Sequence, residues 1–221
     1  MALKSLEELG PRGREKRGQI LGAARRLFLE RGFERTSMEA IREEAGVSKP
    51  TLYNHYQGKE ALFAAVLGEI VEEIAGDWLP AAEADEVPLN SCRELEETLA
   101  EFAHAAIAGL MRPEYLALIR VVVAETPRFP QLGEIFLSAG PKRGMKTVCE
   151  LLENAAERGL VEVTDVNAAA RAFLGPILLY VLMDGLLRAG EPRRPAPEHI
   201  EEIVTLFMRA IERRERRFGD G

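Results

Sequence analysis

Almost from end to end, this chain repeats its apolar residues three and four positions apart and rarely alternates them in twos. That pattern restricts what it can become, because a strand changes face at every second residue and a helix every 3.6. Ile20, Ala24, Leu27 and Phe28 share one stripe of a first helix expected over residues 14–31. Leu62, Phe63, Val66, Leu67, Ile70 and Ile74 give a longer helix a broad apolar face, opening at Lys59 and ending near Trp78. Residues 80–91, acidic and holding two prolines, read as a loop. Further helices are expected over 93–111, 113–124, 130–138, 141–158, 166–188 and 197–217. The fold class is all-α: a three-helix head over residues 1–60, fused without repeat or low-complexity linker to a larger helical body over 61–221. About nine to ten helices result.

Between residues 36 and 59 the helices are short and the breaks tight. Gly32 stops the first helix, and Phe33 folds back as an apolar anchor. Thr36 with Glu39 has the spacing of a capping box, starting a short helix whose inward face is Met38, Ile41 and Ala45. Gly46 ends it. Ser48 caps a third helix, in which Pro50 is tolerated because it lies in the first turn. Gln57 and Gly58 break the chain again. Two short helices joined by Gly46-Val47-Ser48 have the spacing of a helix-turn-helix, with Val47 plugging the angle and Leu52 pinning the second helix. Lys49, Thr51, Tyr53, Asn54 and His55 are then left to point outward. So polar a helix gains little from burial, which marks its surface for another purpose.

Charge points the same way. The 221 residues carry a net charge of −7, yet residues 1–60 hold 12 Lys+Arg against 9 Asp+Glu (+3) and residues 61–221 hold 17 against 27 (−10). A locally basic head can meet a polyanion because salt screens the distant acidic body over about 8 Å. The chain prefers arginine, yet two of its six lysines, Lys49 and Lys59, bracket the outward helix. Tyr53 and Tyr56, two of its four tyrosines, lie there too.

Thr36-Ser37-Met38-Glu39-Ala40-Ile41, Ala45-Gly46-Val47-Ser48, Thr51-Leu52-Tyr53-Asn54-His55-Tyr56 and Lys59-Glu60-Ala61-Leu62 resemble, in register and without gaps, the signature of the tetracycline-repressor (TetR) family. The resemblance covers about residues 14–66; Pro50 stands where many members have Gly. It implies a cytoplasmic, ligand-responsive repressor whose homodimer sets two reading helices in successive major grooves of a palindromic operator, about 34–36 Å apart or slightly more. Carried over, Thr36, Ser37, Tyr53, His55, Tyr56 and Lys59 grip phosphates beside the cap Ser48, while Lys49, Thr51 and Asn54 face base edges. Arg12, Arg14, Lys16 and Arg17 form an arm that reaches flanking DNA or remains a solvated terminus. The homodimer is expected through Val166–Arg188 and Pro197–Arg217, with Gly185 allowing close approach and Gly175-Pro176 kinking the first of them.

The body should hold a small lipophilic or aromatic effector. Candidate lining groups are Trp78, Phe102, His104, Met111, Tyr115, Arg120, Phe173, Ile177 and Tyr180, most of which serve equally as plain core. The helix from Lys59 to Trp78 would carry the coupling from pocket to head. No cofactor is expected: His55, His104 and His199 stand apart from each other and from the cysteines, so no metal site is spaced for. Cys92 and Cys149 are too few for a disulfide framework, which fits a reducing compartment. The most apolar run, 172–183, is shorter than the roughly 20 residues of a membrane span. No phosphate loop, zinc-helix motif or serine elbow speaks for catalysis. The alternatives are a helical small-molecule carrier or enzyme with a structural head, and a sequence-neutral DNA coat, which the acidic body disfavours.

Overall fold

The computed structural model describes residues 10–78 and 89–212, the side chains of 74–78 excepted. Ten α-helices occur among the described residues: α1 (Pro11–Arg35), α2 (Met38–Ala45), α3 (Lys49–His55), α4 (Lys59–Trp78), α5 (Cys92–Leu110), α6 (Pro113–Glu125), α7 (Pro130–Ala139), α8 (Pro141–Glu157), α9 (Val166–Tyr180) and α10 (Pro197–Ile211). The only extended pairing among them is an isolated bridge between Val161 and Glu212. The expected continuation of the last helix from 213 to 217, and most of the loop 80–91, lie outside the described residues.

The chain packs as two compact units, Met1–Glu73 with Glu114–Gly140, and Ile74–Pro113 with Pro141–Gly221. The first unit thus takes in α6 and α7, which the sequence had left in the body. Its core is a knot of phenylalanines: Phe28 stacks on Phe33 at 5.7 Å, Phe63 meets both edge-on at 5.1 and 5.2 Å, and Phe129 adds an edge to Phe33 at 5.1 Å. Three of these rings are fully buried; burial of each contributes on the order of 2–3 kcal/mol. In the second unit α5 packs on α8, α9 and α10. There Phe173 lies between Phe102 (6.1 Å) and Phe207 (5.2 Å).

Local chemistry sets the helix ends. Pro11 occupies the first turn of α1, where a missing N–H costs nothing. Arg12, Arg14, Lys16 and Arg17 therefore lie on the first turns of α1. Gly32 has φ 80° and ψ 172°, so α1 bends sharply there before its last residues. The N-cap of α2 is Ser37 and not Thr36: the Ala40 N–H donates to Ser37 Oγ at 3.1 Å, while the cap expected at Thr36 is displaced by one residue. Pro176 stays within α9, and the departure from α geometry falls later, in a π-helical turn over Val181–Leu186. With that turn the helix is continuous over Val166–Leu186, 21 residues, long and apolar enough to cross a membrane by length and composition, although the uninterrupted apolar run within it is the shorter one. Only 22% of that window is buried.

Candidate nucleic-acid interface

Gly46 adopts the left-handed conformation (φ 63°, ψ 35°), and its N–H turns back to the carbonyls of Arg42 and Glu43. The Val47 N–H joins them on Arg42 O at 3.2 Å, with the Val47 side chain buried in the angle. Arg42, which the sequence reading passed over, donates from its guanidinium to Val47 O at 3.4 Å while Glu39 and Glu43 hold it on the other side. Ser48 then caps α3: the Thr51 N–H donates to Ser48 Oγ at 3.3 Å, and the two hydroxyls lie 2.7 Å apart.

On α3, Leu52 is fully buried and Tyr56, just past its end, nearly so. The residues turned away from them, Lys49, Pro50, Tyr53 and Asn54, are exposed, with Tyr53 at 44%. Positions 49/53 and 50/54 are each one turn apart, so they make one outward face. Thr51 and His55 flank it, half-buried. Burial first, and the Arg17 charge second, push the His55 imidazole below its ordinary range. The Arg17 Nε–H donates to the Tyr56 hydroxyl oxygen at 3.2 Å, and burial raises that phenol. Ser37 is exposed at the start of α2.

Two expected phosphate ligands, Thr36 and Lys59, hold partners within the protein. Thr36 is 1% exposed, and its hydroxyl hydrogen is shared between Gly32 O (2.8 Å) and Leu27 O (3.1 Å). Lys59 reaches back to α1, donating to Phe33 O at 2.8 Å and Glu34 O at 3.2 Å.

The effector candidates divide between the units. Phe102, Met111, Phe173 and Ile177 are buried in the second unit, with His104 and Tyr180 half-buried. Tyr115 is buried in the first, 6.1 Å from Phe136, and its phenol is strongly raised by burial. Arg120 is exposed. The Trp78 side chain lies outside the described residues. Among the described residues no group of His, Cys, Asp and Glu is arranged to hold a metal.

A brace helix, a glycine turn and a capped helix with one outward polar face define a helix-turn-helix DNA-binding protein. Residues 20–66 match the family described as "Bacterial regulatory proteins, tetR family", and residues 97–212 match "AefR-like transcriptional repressor, C-terminal domain". The solved structure of "Flavonoid-responsive Regulator FrrA" is 33% identical, covers 92% of this chain and 100% of its own, and superposes with a TM-score of 0.72. The "HTH-type transcriptional regulator UidR" of Escherichia coli K12 is 29% identical over 169 residues, 76% of this chain and 80% of its own. The "HTH-type transcriptional activator FasR" of Mycolicibacterium smegmatis is 45% identical over 60 residues, 27% of each chain. The chain belongs to the TetR family of helix-turn-helix transcriptional regulators.

Proposed function

We propose that the protein is a repressor that binds a palindromic operator as a homodimer in the cytoplasm and is released by a small apolar or aromatic molecule. The observation that carries this reading is the outward face of α3. Lys49, Tyr53 and Asn54 are exposed there on a helix held from behind by Leu52 and Tyr56. A major groove admits an α-helix, and on this reading Asn54 pairs with adenine and Lys49 with guanine there, while Tyr53, His55 and Ser37 meet phosphates.

The dimer is supported by a stripe on α9 and the π turn after it. Leu178, Leu179, Leu182, Met183 and Leu187 are 40–68% exposed at helical spacing, and Leu206 on α10 is 54% exposed. A contiguous apolar stripe of this kind favours a second copy over water. The effector class is supported by the Phe102–Phe173–Phe207 cluster and by the flavonoid response named for FrrA. Repression is supported by the description matched by residues 97–212.

Titrating a flavonoid into the complex of protein and operator tests the whole reading. Release of the DNA at a concentration that saturates the protein is the expected result. Binding of the flavonoid with the DNA retained, or tighter DNA binding, would overturn release as the mode of action.

A further inference from the structure

Tyr115 lies in the first turn of α6, in the first unit, and is only 4% exposed. Its ring meets that of Phe136 on α7 at 6.1 Å, tilted by 38°. Leu118, three positions on along α6, and Leu132, one turn before Phe136 on α7, are fully buried. A phenol in such surroundings still carries an O–H donor and an acceptor oxygen. Among the described residues, no donor or acceptor stands within hydrogen-bond distance of the Tyr115 hydroxyl. Tyr56, buried to the same extent, shows the ordinary arrangement, since Arg17 donates to its hydroxyl oxygen at 3.2 Å. A phenylalanine at 115 would fill the same space without placing an unpaired polar group there, which costs stability and calls for a reason. Burial also pushes the phenol far above its ordinary range, so at neutral pH the group is an O–H donor.

We propose that the Tyr115 hydroxyl is the polar anchor for the effector, donating its O–H to a neutral carbonyl oxygen on an aromatic molecule that packs against Tyr115 and Phe136. This rests on the aromatic-effector reading above and adds to it the group that recognises the effector and the group the effector must carry. The acceptor follows from the protonated phenol. Its neutrality follows from burial, which disfavours a carboxylate or phenolate there as it disfavours the tyrosinate. The aromatic character follows from the two rings, whose faces and edges suit a third ring. A single polar group in an apolar lining fixes orientation and rejects molecules that leave it unpaired.

The test uses two probes, flavanone, whose ring ketone is such an acceptor, and flavan, in which a methylene replaces the ketone. Each is titrated by calorimetry into the full chain and into its Tyr115→Phe variant, which keeps the ring and loses only the hydroxyl. The wild-type protein is expected to bind flavanone about tenfold more tightly than flavan, and the preference should shrink to within about twofold in Tyr115→Phe. A merely structural hydroxyl would weaken both probes alike, and that result would overturn the proposal. A ketone preference that survives in Tyr115→Phe, or none in the wild type, would do the same. The free protein supplies a second readout: removing an unpaired buried hydroxyl should raise Tm by about 2–4 °C. A lowered Tm, or a variant that does not fold, would show that the hydroxyl is already satisfied within the protein and would overturn the anchor. If the wild-type protein binds neither probe, the aromatic-effector reading fails and the anchor with it, whereas flavanone bound equally by both proteins sinks the anchor alone.

Discussion

Replacing Gly32 by alanine should be among the most damaging small substitutions in the first unit. At φ 80° and ψ 172° the backbone lies in a region that residues with a Cβ essentially never enter. Holding alanine there costs about 1–3 kcal/mol. Its Cβ would also stand 3.2 Å from Glu125 Oε1, closer than nearly all real contacts. Glu125 must then shift, and its bond from the Glu34 N–H, 3.0 Å long, weakens, at about 1 kcal/mol. The sum is about 2–4 kcal/mol, a fall in Tm of roughly 4–16 °C for a chain of this size. Gly46→Ala is the control. Its φ is also positive, but ψ is 35° and no atom lies within 4 Å of the added Cβ, so only left-handed strain of about 1–2 kcal/mol remains. Urea and thermal unfolding of both variants measure the difference. A cost for Gly32→Ala below about 0.5 kcal/mol, or below that of Gly46→Ala, would refute the account of the bend.

Three further outcomes are expected. Thr36→Val should destabilise the protein by about 1–2 kcal/mol in urea unfolding, because a methyl replaces the hydroxyl facing Gly32 O and Leu27 O; the folded variant should keep its operator affinity, and a loss of about tenfold would restore Thr36 as a phosphate ligand. His55, held below its ordinary range by burial and Arg17, is neutral in the free protein at pH 7. Its unfolded form takes up the proton first, so this group's stabilisation is complete above about pH 6.5 and declines as pH falls through that value. A neighbouring phosphate favours the charged imidazole, so operator affinity should rise from pH 8 to pH 6 in anisotropy titrations and flatten in His55→Gln; a flat wild-type profile would remove His55 from the interface. Met183→Glu, placing a charge on a residue 58% exposed in the apolar stripe, should yield monomers in sedimentation velocity and lose operator affinity; an intact dimer would move the interface elsewhere.

What was legible in the sequence was what neighbouring residues decide. Gly46, Val47, Ser48 and Leu52 specify a turn, a plug, a cap and a pin within seven positions, and each takes that place in the structure. The outward face of α3 follows from them, since fixing Leu52 inward leaves positions 49, 50, 53 and 54 to solvent. Thr36 and Ser37 show the limit of such rules. Both hydroxyls suit a cap, and the choice falls to Ser37 because the core behind Gly32 takes Thr36. Partners distant in the chain were not readable. Lys59 finds carbonyls 25 and 26 residues back, and Glu125 caps a bend 91 residues before it. Phe129 and Phe136 belong to the first unit through α6 and α7, although their own stretch carries no sign of the head. Arg120 was expected in a pocket because it is large and helical, but helical spacing alone does not say which face of α6 is covered. The π turn at Val181–Leu186 has no local signature comparable to Pro176, so the sequence drew attention only to the proline.

In the proposed homodimer α3 reads a duplex twice, once from each subunit. Selection of bound duplexes from a random pool by the purified protein, at about 0.15 M salt where non-specific contacts are largely screened, tests it most directly. The account predicts enrichment of a palindrome whose half-site centres lie about 34–36 Å apart, lost when Tyr53 and Asn54 are both replaced by alanine. No enrichment from folded dimer, or enrichment that survives the double replacement, would contradict it.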